Sequence, residues 1–330
     1  MKNKQQPNNR ASAADTEPMQ TKFRALIEEA LRAQPYSFRE RGGDAEPILV
    51  KQSTIKGLSA FLKTAALPSL FNASGELIRT PKGSPAAATI TLDSALIKNS
   101  RVAQAGAHVF IYEDSTKALA TGLTGDVVME SRASAFRLIE PAKFSTVDVD
   151  EEDDVATSPL PVSAAGIDFA QAVTKGFRVE IPRSDRKDIS TELLCSELVA
   201  ALTLGLSRAA DEVLLSKVAT SSPETFTINS VASQGVKFGE LRALVGTGLG
   251  TVAKVWPDGT LRTCEGVPAE LTDTVSDTII GAFNRAGVAI HESVDIYFER
   301  IGKSGLLACT AWTSMLPLVP DVTKFWKAMR

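Results

Sequence analysis

The sequence predicts an α+β protein, and three observations carry that prediction. Residues 188–218 contain no proline and a single glycine, Gly205, so they read as one unusually long helix. Several short stretches alternate apolar and polar side chains. The clearest is VDIYFE at 294–299, where Val294, Ile296 and Phe298 oppose Asp295, Tyr297 and Glu299. The chain has 330 residues, 44% hydrophobic and 23% charged, enough to bury a sizeable core around both kinds of element.

Residues 1–18 lack aromatic and β-branched apolar side chains and are expected to be disordered. A short amphipathic helix follows, with Phe23, Leu26, Ile27, Ala30 and Leu31 on one face, Lys22, Glu28 and Glu29 off it, and Pro35 as its limit. It either packs back on the domain or meets another chain. Residues 53–67 read as a second helix closed by Pro68, and 72–85 as a turn-rich basic linker. Strands are expected at ATITL (88–92), HVFIYE (108–113), DVVME (126–130) and FRLIE (136–140), the second and third as a hairpin. After the acidic run DVDEEDD (148–154), the segment KGFRVEIPRSDRKD (175–188) begins as a strand and ends in charge. Strand, polar tip and returning strand together read as a β-arm over roughly 142–183.

The long helix takes Asp188 or Ser190 as its N-cap. Glu192, Ser196, Thr203, Ser207 and Asp211 recur at spacings of four and seven, suggesting a solvated face. Leu194, Leu198, Ala201, Leu202, Ala209 and Val213 form an apolar face. At 1.5 Å per residue such a helix is about 40 Å long, enough to brace a domain. Beyond it, SSPETFTINS reads as a linker, 238–245 as a short helix, and KVW (254–256), VAI (288–290), VDIYFE and LLACTAW (306–312) as strands. The closing LPLVPDVTKFWKAMR reads as irregular, and the chain has no internal repeat.

The net charge of −3 argues against a free nucleic-acid-binding module. Cys195, Cys264 and Cys309 are too far apart for a zinc motif or a disulfide framework and are expected to be reduced thiols in or near the core. The N-terminus lacks the apolar core of a signal peptide, and no run is expected to reach the roughly 18 apolar residues of a membrane span, which together imply a reducing cytoplasm. His291-Glu292 begins like a zinc-protease HExxH motif, but the fifth position is Asp295. Gly246, Gly248 and Gly250 lack dinucleotide spacing. The acidic run could hold calcium but lacks the glycine and glutamate of an EF-hand, so a solvated loop is the simpler account. No catalytic residue, cofactor or metal is expected, and the protein is read as structural rather than enzymatic. The acidic root (Asp148, Asp150, Glu151, Glu152) and basic joint (Lys175, Arg178, Arg183, Arg186, Lys187) of one arm suit charge pairing with neighbouring copies, which sets register and partner choice.

A β-arm returning through GFRVEIPRSDRKD into ISTELLCSELVAALTLGLSRAADEVLLSKV resembles bacteriophage major capsid proteins of the HK97-like fold. RAADEVLL (208–215) looks like the end of that family's spine helix. GVPAEL, IIGAFNRAGVAIHESVDIYFER and LLACTAWTSMLPLVPDVTKFWK are similar to its closing pattern. The resemblance covers residues 142–330 and rests on patterns of shape rather than invariant residues. It departs from the family in a compact axial region and a long N-terminal region, with an extra β-rich module at 102–140.

The resemblance implies this organisation: 1–50, tail and scaffold-like helix; 51–141, N-terminal arm with the β-rich module; 142–187, extended β-arm; 188–234, spine helix and peripheral domain; 235–285, axial domain; 286–330, return to the peripheral domain. It also implies self-assembly as pentamers and hexamers into the icosahedral shell of a tailed double-stranded DNA phage or prophage. DNA would be held by confinement, scaffold, portal or decoration proteins would be partners, no membrane would be involved, and assembly would take place in the host cytoplasm. Alternatives are an encapsulin-like compartment, a β-rich tail or adaptor ring subunit, and a soluble α/β enzyme using the loop at 246–250 for phosphate.

Overall fold

The computed structural model describes residues 19–32, 36–39, 48–51, 55–61, 91–112, 117–120, 127–130, 135–144, 157–187, 189–248, 252–301 and 305–328. Among the described residues the elements begin with α1 (Met19–Arg32), β1 (Tyr36–Arg39), β2 (Ile48–Lys51), β3 (Ile55–Phe61), α2 (Leu92–Asn99) and α3 (Arg101–Gln104). There follow β4 (His108–Tyr112), β5 (Lys117–Ala120), β6 (Val127–Glu130), β7 (Ala135–Ile139), β8 (Val162–Gly166) and β9 (Val173–Ile181). Next come α4 (Arg183–Lys187), α5 (Thr191–Thr220), α6 (Ile228–Ser233), β10 (Arg242–Val245), β11 (Ala253–Val255) and β12 (Leu261–Thr263). The chain ends with β13 (Ala269–Leu271), β14 (Ile279–Gly281), β15 (Gly287–His291), β16 (Ser293–Ile301), β17 (Leu306–Leu318) and β18 (Phe325–Lys327). The fold is α+β, as expected. It divides into two units. One comprises Met1–Asn99, Thr174–Ser207 and His291–Ser314; the other comprises Ser100–Val173, Arg208–Ile290 and Met315–Arg330.

In the first unit β16 lies between β3 and β17 in antiparallel ladders, Ser293 opposite Phe61 and Asp295 opposite Trp312. The expected alternation holds, since Val294, Ile296 and Phe298 are buried while Asp295, Tyr297 and Glu299 are only partly covered. On the buried face lies α1, whose Phe23 meets Phe298 edge-on at 5.5 Å. Gln20 Nε2 donates to Ser196 Oγ at 2.6 Å, and Arg24 pairs with Glu192 at 2.7 Å. The amphipathic helix therefore packs back on its own chain. The chain also pairs β9 with β17.

The second unit holds the sheet β13-β10-β14-β18, in which β13 runs parallel to β10 and the other neighbours are antiparallel. Phe226, Leu241, Val267, Ile280 and Trp326 form one core cluster. In a second sheet region β15 pairs with the end of β17 and with β4. Gly287 is required there: a Cβ at that position would stand 2.7 Å from the His108 carbonyl oxygen. The β7–β8 ribbon, with Ala135 opposite Gly166 and Ile139 opposite Val162, lays Phe136 and Ala165 against the buried cluster of Ala289, Leu316 and Leu318, which Phe110 and Tyr112 also cover.

Several expectations are corrected. The helix expected at 53–67 is, where described, the strand β3, because a seven-residue ladder to β16 outweighs local helix propensity. The strand expected at 88–92 gives way at its end to α2, with Thr91 at the helix start: its carbonyl accepts from Ala95 N and its hydroxyl bonds Ser94. β6 pairs β5 rather than β4, so the expected hairpin is split. The outgoing partner of β8 is β7, earlier than the start assigned to the arm, and β9 turns to β17 instead. Residues 238–245 form a short 3-10 turn and then β10, not a helix. Part of the linker SSPETFTINS is α6, held by a capping box between Thr227 and Ser230. The tail is ordered as the end of β17, a 3-10 turn and β18. The tail at 1–18, the linker at 72–85 and the acidic run lie outside the described residues.

The helix α5 spans 30 residues and is N-capped by Ser190, whose hydroxyl accepts from Leu193 N at 3.2 Å. Its expected wet face is not wet. Ser196, Thr203, Ser207 and Asp211 are all buried, and only Glu192 is exposed. The hydroxyls return their protons to carbonyls one turn back, Ser196 to Glu192, Thr203 to Val199 and Ser207 to Thr203, so they need no water. By length and composition α5 could cross a membrane, contrary to expectation. However, 56% of its most apolar window is buried in protein, as in a core helix.

Candidate assembly surface

The basic joint is built by a strand, a proline and one helical turn. Pro182 ends β9, because it cannot donate to a ladder, and its carbonyl accepts from Arg186 N as α4 begins. That turn displays Arg183 and Lys187 to solvent and half-buries Arg186, which donates from Nη2 to the Gly305 carbonyl. Burial lowers the Arg186 pKa from its ordinary value, and the neighbouring Arg300 and Arg183 lower it further. Lys175 is half-buried on β9. Arg178 is engaged within its own chain, with Glu180 at 3.1 Å and with Thr310 Oγ1 at 3.1 Å. The structure thus groups Arg183, Arg186 and Lys187 and leaves Arg178 apart. Asp148, Asp150, Glu151 and Glu152 lie outside the described residues.

The described ends of the β7–β8 connection carry features that sequence reading missed. Phe144 is 97% exposed, Ile139 85% and Leu160 75%. Ile139 was placed in a strand, but its outward direction depends on Phe136 and Leu138 facing the core, which alternation alone does not orient. At the same end Arg285 holds two carboxylates, Glu140 at 3.0 Å and Glu240 at 3.2 Å, and Glu140 also accepts from Ser163. No motif signals this triad, since its members are separated by 45 and 145 residues.

The remaining candidates are quickly placed. The Thr247 and Gly248 N–H groups bond the carbonyls of Val275 and Ser276, at 3.0 and 2.7 Å, so these donors of the glycine loop are engaged by the chain itself. His291 Nδ1 faces Ser293 Oγ at 2.9 Å within the β15–β16 bend. Burial pushes the thiols up to about 11 at Cys195 and about 12 at Cys309. Cys264 is exposed, contrary to expectation. Among the described residues no group of three or more His, Cys, Asp or Glu side chains could hold a metal ion.

No family model and no curated protein matches the sequence. Among solved structures, the chain is similar to the capsid of an empty GTA particle at 10% identity and a TM-score of 0.46, covering 76% of this chain and 93% of that one. It is also similar to a satellite phage P4 procapsid that includes size determination (Sid) protein, at 10% identity and a TM-score of 0.40, covering 71% and 95%. A structure from Mycobacterium phage Che8 aligns at 10% identity and a TM-score of 0.40, covering 60% and 85%. These three are phage or capsid structures.

Proposed function

We propose that this chain is a major capsid protein that self-assembles into the icosahedral head shell of a tailed double-stranded DNA phage or prophage. The observation that carries the reading is the bare apolar surface where the β7–β8 connection leaves its unit: Phe144, Ile139 and Leu160. Burying one such side chain is worth about 1.5–3 kcal/mol, so surface of this kind marks a contact with another chain. A second copy supplies that contact, through heterologous interfaces that close into rings. In this reading α5 is the spine, residues 235–285 the axial domain and residues 286–330 the return to the peripheral domain. Scaffold, portal and decoration proteins are further partners, assembly takes place in the host cytoplasm, and packaged DNA is held by confinement.

Light scattering and negative-stain microscopy of the full chain, alone and co-expressed with its genomic neighbours, test the proposal. Closed shells of uniform diameter are expected. A persistent monomer or dimer under all those conditions would overturn it. Nuclease-protected DNA inside the particles distinguishes a phage head from a protein-filled compartment.

A further inference from the structure

In the second unit the C-terminal end of α5 opens on a cavity of about 200 Å³. That is below the roughly 300–1,000 Å³ of sites for drug-sized ligands, so it suits a single short chain of atoms. Pro223, Val322, Phe325 and Trp326 form its apolar wall, and every other lining residue is polar. Three of the lining hydroxyls spend their protons inside the chain. Ser221 Oγ donates to the Val218 carbonyl at 2.6 Å, Ser233 Oγ to the Ser230 carbonyl at 2.8 Å, and Thr323 Oγ1 to Asp321 Oδ1 at 2.7 Å. A hydroxyl has one proton, so each of these meets a ligand as an acceptor. Glu224 adds a carboxylate, the one formally charged side chain of the lining, and it has no ion-pair partner among the described residues.

Two helix ends reinforce that preference. α5 closes at Thr220 and α6 at Ser233, and both C-termini reach the cavity through the serines that follow or end them. A helix C-terminus bears a partial negative charge and favours a cation. The chain already uses this beside the cavity: Lys324 Nζ donates at 2.7 Å to the carbonyl of Gln234, the C-cap of α6. That ammonium also meets Asp321 at 3.5 Å, and Lys327 pairs with Asp277 at 3.0 Å, so neither neutralises Glu224. Ser222 is an independent sign. Its φ is +52°, and among the described residues it is the one non-glycine in the left-handed region. A helix end in this conformation favours glycine, which carries no Cβ penalty. A serine there, against that preference, adds a hydroxyl to the lining, and backbone strain of this kind gathers at ligand sites.

We infer that the cavity is a binding site for a primary alkylammonium ion, with methylenes against Phe325 and Trp326 and the ammonium among Glu224, Ser222 and the two helix ends. The site does not depend on the proposed shell, because it lies within one unit of a single chain. A free polyamine and the lysine side chain of a partner carry the same chemistry, and the ligands tested distinguish them.

The full-length chain is titrated by calorimetry at constant ionic strength with cadaverine, with N-acetyl-lysine amide and with pentanediol, the uncharged analogue of cadaverine. Saturable one-to-one binding is expected for an amine and none for pentanediol. Glu224→Gln should weaken amine binding at least about tenfold, as loss of a hydrogen bond between charged groups does. Ser222→Gly should also weaken it, yet raise the melting temperature of the free chain, because glycine relieves the left-handed backbone. Ser222→Ala removes the hydroxyl and keeps the strain, so it should match Ser222→Gly in binding but not in melting. These opposed readouts separate a ligand contact from a folding defect. Tighter binding of cadaverine than of the lysine amide assigns the site to free polyamines, and the reverse order assigns it to a lysine of a partner. Three results would overturn the site: no saturable binding of either amine, pentanediol binding as well as the amines, or affinities that Glu224→Gln and Ser222→Gly leave unchanged.

Discussion

Asp211 is the most constrained residue of the long helix. It is 3% exposed, and its carboxylate accepts from Ser100 Oγ at 2.6 Å, Arg101 N at 2.9 Å and Val102 N at 3.0 Å, so that it caps α3 from a distance. Asp211→Ala strands these donors, two of them backbone amides, and should destabilise the unassembled subunit by about 3 kcal/mol in a denaturant titration. Burial raises the Asp211 pKa above its ordinary value, although the three donors and Arg101 oppose the shift. The folded state then binds the proton more tightly than the unfolded chain, so stability falls as pH rises from about 4 through the raised folded pKa. Asp211→Asn cannot titrate. Wild type should therefore lose stability relative to Asp211→Asn as pH rises through that window, and parallel stability curves would disprove the assignment. Spacing placed Asp211 on a wet face because polarity at helical period looks the same whether water or a second helix satisfies it.

At the scale of elements, what was legible followed from continuous local pattern. The 30 residues of α5 and the alternation of β16 were readable because each is dictated by its own side chains. β3 was misread because its strand state comes from β16, more than 230 residues later in the chain. The β7–β8 ribbon was displaced for the same reason, as its partners and its Arg285 clamp are remote in sequence. Of the candidate site, the charges of the basic joint were visible in sequence, while the convergence of Arg186 and Arg300 at Gly305 was not. The clamp gives a prediction of its own. Arg285 is 17% exposed and Glu140 and Glu240 are each 26% exposed, so Arg285→Met leaves two poorly hydrated carboxylates facing each other. The loss should be about 2 kcal/mol, below the roughly 3–5 kcal/mol of a fully buried pair. It should show as faster hydrogen exchange across 135–140 and 162–166, while β16 exchange is unchanged. Glu240→Gln should disturb the ribbon less, because Arg285 and Glu140 remain paired. Equal effects of the two substitutions would argue against a clamp.

At the scale of the whole molecule, in the proposed shell the exposed apolar side chains and the charged joint would serve different ends of one process. Apolar contact supplies most of the association free energy, and charge chooses the register. A subunit that meets several neighbours through the same contact multiplies any weakness in it, since each 1.4 kcal/mol is about tenfold in a single contact's equilibrium. Phe144→Ser with Ile139→Thr and Leu160→Ser removes apolar surface that the isolated chain leaves in water. Exposed substitutions of this kind change folding stability by only about 0.5 kcal/mol, so the dissociated subunit should melt as wild type does. Assembly should instead need at least about tenfold more protein, read as the critical concentration by light scattering. It should resist rescue by low salt, because the missing term is not electrostatic. If the triple variant assembled at the wild-type concentration, the bare end of the β7–β8 connection would be no interface, and the shell would have to be held by some other surface.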